Sequence, residues 1–227
     1  MRLDGDGPAV ALRWSAGARS LTLSVSHADG RPRLTLPAQA TEDEARAFLA
    51  RQAGWLAEAM ERSPPPPLLR PGDALPYEGR QIVLTVEPGP RRAPRVQSGR
   101  LIVRGAPEAA AAKALAFLKS RARERLLPAA ERHAAALGAR PTRVTLRDTR
   151  SRWGSCSAAG ALSFSWRLVM APPEVLDYVA AHEAAHLREM NHGPRFWALV
   201  DRLDPDWRDS RDWLRRHGAR LQRVRFA

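Results

Sequence analysis

The sequence has little cysteine and lacks long hydrophobic runs. Its 227 residues include a single cysteine, Cys156, which excludes an intramolecular disulfide and favours a reducing compartment. No uninterrupted apolar run approaches the roughly 18 residues of a membrane span, and the first residues lack the apolar segment of a secretion signal. These absences predict a cytoplasmic protein with no membrane partner.

Lysine is also scarce, so the positive charge is almost entirely arginine. Lys113 and Lys119 are the two lysines, and the formal net charge is +13. This balance favours acidic partners, although in residues 201–226 arginine alternates with aspartate, as it does on a solvated helix face. Non-specific contact with nucleic acid through the basic surface is therefore one hypothesis. The composition does not indicate an oligomeric state.

The distribution of strand and helix patterns predicts an α+β protein with two regions. Residues 1–105 are predicted to be an N-terminal, antiparallel β-rich region, with one helix over residues 41–60 that begins with a capping box at Thr41. A proline-rich connector occupies residues 63–72 within this region. Residues 106–227 are predicted to form a second, compact domain.

The second region begins with a long helical pattern over residues 107–138, with Pro107 at its start. Alternating sequence then predicts two or three strands between residues 143 and 169. Tandem prolines, Pro172 and Pro173, mark the start of another helix. That helix carries the clearest chemical motif in the chain.

The motif is "HEAAH", in which His182 and His186 are separated by four positions. Residues at this spacing lie on one face of an α-helix, one turn apart, where two imidazole nitrogens can bind one metal ion. Glu183 lies beside the first histidine. In the H-E-x-x-H pattern the histidines bind zinc and the glutamate is the general base towards the zinc-bound water. An alanine-rich amphipathic helix that binds no metal but has histidines on its exposed face would have the same sequence pattern.

A catalytic zinc site needs a third protein ligand, and two residues compete for that role. His192 is six positions after His186, about 240° further around a continuing helix, so the helix must end before it can bind. "NHG" predicts such an end, because Asn191 tolerates left-handed geometry and Gly193 and Pro194 stop a helix. We favour His192. Glu189 is the alternative ligand, or else an acceptor for a histidine N–H.

"RWGSCS" and residues 166–218, beginning "WRLVMAPPEVLDYVAAHEAAHLREMNHG", closely resemble the YgjP-like branch of the SprT-like zinc metallopeptidases. The resemblance implies a zincin-like fold for residues 106–227, and one zinc ion per chain held by His182, His186 and His192. It implies Glu183 as the catalytic glutamate, peptide or protein substrates, and peptide-bond hydrolysis by the zinc-bound water. Zincins of this kind bind an extended substrate beside an edge strand, and "ALSFSWRL" is the expected counterpart.

The resemblance also leaves an alternative function, because some SprT-like proteins cleave proteins attached to DNA. In that alternative the basic surface binds DNA, and the chain either cleaves DNA-bound proteins or has no activity. Arg152, Tyr178 and His217 are candidates for stabilising an oxyanion on chemical grounds alone. Cys156 is expected to be a small strand residue without a nucleophilic role. The aromatic residues of the second region are expected to be core residues: Trp153, Trp166, Phe196, Trp197, Trp207 and Trp213.

Overall fold

The chain divides into two compact units, residues 1–67 and 68–227, with the boundary inside the proline-rich connector. The computed structural model describes residues 8–26, 30–64, 66–90, 92–149 and 151–226, so Pro65 of the connector lies outside the described residues. Helices and strands are both abundant, and the prediction of an α+β fold is confirmed. Among the described helices, none combines the length and the apolar character needed to cross a membrane.

The first unit contains a mixed three-stranded sheet with the strand order β1-β3-β2. Its strands are β1 (Ala11–Ser15), β2 (Thr22–Val25) and β3 (Pro32–Pro37). β2 and β3 pair antiparallel, but β1 pairs parallel with β3. The prediction of a wholly antiparallel region is therefore wrong for β1. Side-chain alternation predicts a strand and its buried face, but not the direction of the strand beside it.

Two helices follow this sheet, α1 (Glu42–Arg51) and α2 (Ala53–Arg62), where the sequence predicted one. The capping box at Thr41 is confirmed: its Oγ1 accepts a hydrogen bond from the Glu44 N–H at 3.2 Å, and its own N–H donates to Glu44 Oε2 at 2.9 Å. The sheet and the helices share a small core made of Val10, Leu34, Leu36, Ala45, Leu49 and Leu56.

The second unit begins with a four-stranded sheet of order β4-β5-β7-β6. Its strands are β4 (Ala74–Tyr77), β5 (Arg80–Glu87), β6 (Arg95–Gln97) and β7 (Arg100–Arg104). β5 and β7 pair parallel, so the prediction of an antiparallel region over residues 1–105 is wrong for this pair as well, whereas β4–β5 and β6–β7 pair antiparallel. A long helix, α3 (Ala110–Ala136), follows and continues through Pro128. Buried residues of this sheet and of α3 belong to one hydrophobic core. Residues 68–105, which the sequence pattern groups with the N-terminal region, thus lie in the same compact unit as residues 106–227.

A second sheet in this unit has three strands: β8 (Arg143–Arg147), β9 (Gly154–Cys156) and β10 (Ala161–Ser165). β10 is the central strand, since it pairs parallel with β8 and antiparallel with β9. The chain then forms a 3₁₀ turn at Trp166–Met170, which packs against α3. This sheet leaves β9 at one edge and β8 at the other.

Three helices complete the unit: α4 (Pro173–Ala185), α5 (Pro194–Leu203) and α6 (Trp207–Gln222). α4 contacts α3, β9, α5 and α6, which explains why most of its residues are buried. The expected aromatic core is confirmed. Trp166, Phe196 and Trp207 are buried, and the partly buried members of the set pack against the same core: Trp153, Trp197 and Trp213.

Arg167, in the 3₁₀ turn, is a charged residue in this core, with 2% of its side chain exposed. Its Nε donates to Asp148 Oδ1 at 2.7 Å, and its Nη1 donates to the carbonyls of Leu221 and Val224, each at 2.9 Å. The guanidinium therefore joins the end of α6 to the loop after β8. A buried charge of this kind is tolerated because its donors are satisfied.

We expect Arg167→Met to destabilise the protein by about 2–4 kcal/mol, because it leaves Asp148 and two carbonyls without their donor. Urea unfolding of the variant measures this change. Arg215→Met on α6 is the control, since Arg215 is 76% exposed and makes only a surface contact with Asp212. If the two variants unfolded at the same urea concentration, the structural role assigned to Arg167 would be wrong.

Candidate metal centre

Three histidines meet at the end of α4. His182 and His186 lie one turn apart on this helix, with ring centroids 5.1 Å apart, and His192 returns from the following loop to meet both rings. Each residue offers one nitrogen, and the three nitrogens lie within 4.8 Å of one another. Nε2 of His192 is 3.1 Å from Nε2 of His182. This group could hold a metal ion.

His192 reaches the group because α4 ends earlier than the sequence predicted. The last residue of α4 is Ala185, and tight turns follow at once: the N–H groups of Leu187 and Arg188 donate to the carbonyls of Ala184 and Ala185, both at 3.0 Å. Asn191 does not adopt the left-handed conformation expected of it. The break before His192 is thus confirmed, but it begins at His186 and is made by tight turns.

The loop also orients His186. Nδ1 of His186 is 3.1 Å from the main-chain carbonyl oxygen of Glu189. A carbonyl can only accept, so Nδ1 carries the proton and Nε2 of the neutral ring keeps its lone pair for a ligand. The sequence offered Glu189 as an acceptor for a histidine N–H. In the structure it is the main-chain carbonyl of Glu189 that accepts from His186. The Glu189 carboxylate is not part of the three-residue group.

His182 is oriented by packing. Its Nδ1 is buried with no hydrogen-bond partner among the described residues. Its ring meets Tyr178, Phe196 and Trp197 edge-on, with centroid distances of 5.8, 4.9 and 6.0 Å. Phe196 also packs against His186 and His192, so its ring contacts all three imidazole rings.

The electrostatic environment keeps the two helical histidines neutral. Burial, with the added charge of His186, His192 and Arg211, lowers the pKa of His182 to about 3. Burial also lowers the pKa of His186, although the hydrogen bond to the Glu189 carbonyl opposes this shift. Metal ligation by histidine requires the neutral ring. These histidines are therefore available to a metal ion at neutral pH without first losing a proton.

Glu183 lies beside this group on α4 and is 6% exposed. Burial raises the pKa of Glu183 to about 8, and the positive charge of Arg152 opposes this shift. The residue packs against β9 at Gly154: a Cβ atom at position 154 would lie 2.5 Å from both Cγ and Oε1 of Glu183. Because Gly154 has no side chain, there is room for the Glu183 carboxyl group against β9.

The strand beside α4 is β9 and not the expected "ALSFSWRL". That expectation is wrong because β10 has a partner on each side and has no free edge. Immediately after β9 the Ser157 N–H donates to the Ala161 carbonyl at 2.9 Å, and immediately before it the Trp153 carbonyl accepts from the Ser165 N–H at 2.8 Å. Main-chain groups alternate in direction along an antiparallel strand. Gly154 and Cys156 therefore direct their N–H and C=O groups away from β10, towards the outer edge.

The three oxyanion candidates occupy different places. Arg152 lies near enough to Glu183 to influence its pKa. Tyr178 contacts the His182 ring, and burial raises its pKa to about 12. His217 packs against Trp213 on α6, with ring centroids 5.1 Å apart. None of these contacts assigns a role in oxyanion stabilisation.

Cys156 is half-buried on β9 and does not belong to the histidine group. Burial and the nearby Glu183 carboxylate both raise the pKa of the Cys156 thiol. A nucleophilic cysteine requires the opposite shift, because the thiolate is the reactive form. These observations favour the strand role that was expected for this cysteine.

Sequence reasoning missed two residues of the site, Gly154 and Phe196. Gly154 stands within "RWGSCS", but its partner Glu183 is 29 positions away in the chain, and no local pattern connects the two. Phe196 was expected in the core. The sequence signal for its place in the site was its position two residues after Pro194, at the start of α5. Its contact with all three histidines follows from the fold.

Comparison with known proteins identifies the family of the chain. A family model for the YgjP-like metallopeptidase domain matches residues 19–217. No curated protein matches the chain. The crystal structure of the metallopeptidase zymogen abylysin, from Pyrococcus abyssi, is 23% identical, with a TM-score of 0.37, and the match covers 44% of this chain and 98% of that one. That likeness is too weak to carry an argument. Because the family model covers most of the sequence, the chain belongs to the YgjP-like metallopeptidase family.

Proposed function

We propose that the protein is a zinc-dependent peptidase in which His182, His186 and His192 hold the metal ion and Glu183 transfers protons. The convergence of three histidine nitrogens within 4.8 Å carries this proposal. Membership of a metallopeptidase family supports it. The donor set is of the kind that a catalytic zinc site uses, with three protein ligands and one coordination position left for water or substrate.

The separation of two of the donor nitrogens is compatible with a shared zinc ion. Two nitrogens that bind one tetrahedral zinc ion at about 2.0–2.1 Å are about 3.3 Å apart. Nε2 of His182 and Nε2 of His192 are 3.1 Å apart. The third ring, His186, has its Nδ1 held by a carbonyl, so Nε2 is the nitrogen that it offers to a metal ion. The three-histidine donor set, which is typical of a catalytic zinc site, is the further support for zinc.

When bound, a zinc ion acts as a Lewis acid that polarises a peptide carbonyl and lowers the pKa of a water molecule. Glu183 supplies the proton chemistry. Its carboxylate accepts a proton from the attacking water and later delivers that proton to the nitrogen of the leaving amine. The carboxylate form is the one that can accept a proton. Because burial raises the pKa of Glu183 to about 8, the fraction in that form increases as the pH rises towards 8, and the positive charge of Arg152 opposes the effect of burial.

The outer edge of β9 is our candidate for the substrate position. Gly154 and Cys156 direct main-chain donors and acceptors towards this edge, and Gly154 lies directly against Glu183. An extended peptide can add to such an edge as a further strand, through main-chain hydrogen bonds that are independent of its side chains. A peptide bound there would have one of its bonds beside Glu183 and the three histidines.

We expect His182→Ala to lose the metal ion, and Glu183→Gln to retain it while peptidase activity falls by about 10²–10⁴-fold. The first variant removes a ligand, and the second removes only the proton acceptor. Metal analysis of the purified proteins and cleavage of an unfolded protein substrate measure the two effects. The wild-type protein should contain about one zinc ion per chain.

Glu174→Gln is the matched control, because Glu174 is exposed in the first turn of the same helix and the substitution is chemically identical. It should change neither metal content nor activity. Undiminished cleavage by Glu183→Gln would rule out the proposed base. A metal content unaffected by His182→Ala would rule out the proposed ligand group.

Gly154→Ala tests the contact between β9 and the catalytic carboxylate. The added methyl group would force the Glu183 side chain to move, and a displacement of about 1 Å costs about 100-fold in activity. The variant should keep its metal ion, because the substitution leaves the three histidine ligands unchanged. Activity and metal content are measured as for the other variants.

Gly54→Ala is the control for this substitution, since a Cβ atom at Gly54 has open space around it. It should retain full activity. Equal activity of Gly154→Ala and Gly54→Ala would show that the position of the Glu183 carboxylate does not depend on Gly154.

A further inference from the structure

A basic cavity of about 350 Å³ lies between α3 and the end of β8, and no residue of the histidine site lines it. Lys119 and Arg123 line it from α3, where they are one helical turn apart. Arg147 lines it as the last residue of β8. All three side chains are exposed at the cavity. The cavity therefore brings together three cations from two elements of the fold.

These cations are not neutralised by the protein. In the part of the chain that the structure describes, neither Lys119, Arg123 nor Arg147 makes an ion pair with a carboxylate. Asp148 is the carboxylate that lines the cavity, and Arg167 already engages it through a hydrogen bond of 2.7 Å. The cavity consequently carries a net positive charge, in a concave surface that concentrates its field.

Trp166 also lines this cavity, and it is 2% exposed. The Trp166 Nε1–H group is buried and has no acceptor among the described residues. That nitrogen has almost no accessible surface, so Trp166 forms part of the cavity wall without offering its N–H to a ligand. The three cations are the charged donors that a ligand in the cavity can reach.

We propose that this cavity binds a phosphate group, with Lys119, Arg123 and Arg147 providing both the positive charge and the hydrogen bonds. Arginine matches phosphate oxygens with paired N–H donors, and lysine adds a compact charge. Three cations suit the double charge of phosphate better than the single charge of a carboxylate. This proposal does not depend on the peptidase activity.

The phosphate group can come from free inorganic phosphate or from a phosphodiester chain. A neighbouring cavity of about 430 Å³ shares Arg147 and adds Arg143 and Arg152, so that the basic surface continues along the sheet towards β9. A free phosphate ion would need only the first cavity. A phosphodiester chain would place a second phosphate near Arg143.

The test is thermal unfolding of the full-length protein with increasing inorganic phosphate, against sodium chloride at matched ionic strength. Phosphate should raise the unfolding temperature beyond the effect of chloride, since a ligand of the folded state stabilises it. The double variant Lys119→Gln, Arg123→Gln should lose this effect. The double variant Arg215→Gln, Arg216→Gln removes the same charge from the exposed surface of α6 and should retain it.

Arg147→Gln removes the third cation, the one that β8 contributes. We expect it to weaken phosphate binding by about tenfold, as the loss of one charge-assisted hydrogen bond does. No phosphate-specific rise in the wild-type protein, or an equal loss in both double variants, would overturn the proposal. A phosphate affinity unaffected by Arg147→Gln would remove β8 from the site and contradict the proposal as stated.

A short single-stranded DNA oligonucleotide distinguishes the two sources. Competition between the oligonucleotide and phosphate, with oligonucleotide binding weakened by Arg143→Gln and phosphate binding unchanged, supports the cavity as part of a phosphodiester site. Phosphate binding without such competition supports it as a site for the free ion. Oligonucleotide binding that persists at full strength in the Lys119→Gln, Arg123→Gln variant contradicts a role for this cavity in binding a phosphodiester chain.

Discussion

The turn that ends α4 at His186 is the constraint on which the candidate centre depends. A helix that continued would carry residue 192 to the wrong side, and His182 and His186 alone would leave an incomplete site. Tight turns at Leu187 and Arg188 reverse the chain, and the same loop supplies the Glu189 carbonyl that fixes the His186 ring. One short segment thus completes the ligand group and sets the orientation of one of its members.

The elements packed around α4 support the histidine rings, keep two of them neutral and position Glu183. Phe196 from α5 supports the three imidazole rings, and burial keeps His182 and His186 neutral. β9 also contacts α4, and it lies so close that a side chain at position 154 would displace that of Glu183. The buried Arg167 holds the end of α6 to the loop after β8, so the helical layer around α4 is linked to the sheet that carries β9.

Local spacing predicted the histidine group, because His182 and His186 lie within one helical turn and "NHG" indicated a break before His192. The place of that break was predicted wrongly, since tight turns at a helix end depend on packing and not on a left-handed residue. β10 was mistaken for the edge strand because alternation does not reveal strand order. The contact of Gly154 with Glu183 arises from long-range packing and leaves no local signal, and the contact of Phe196 with all three histidines follows from the fold.

X-ray absorption at the zinc edge, on the zinc-loaded protein, tests the central claim most directly because it reports the atoms bound to the metal. The account predicts three imidazole nitrogens and one further light atom, all about 2.0–2.1 Å from zinc. A sulfur ligand at about 2.3 Å would instead implicate Cys156. Either that result or a spectrum with fewer than three imidazoles would contradict the site formed by His182, His186 and His192.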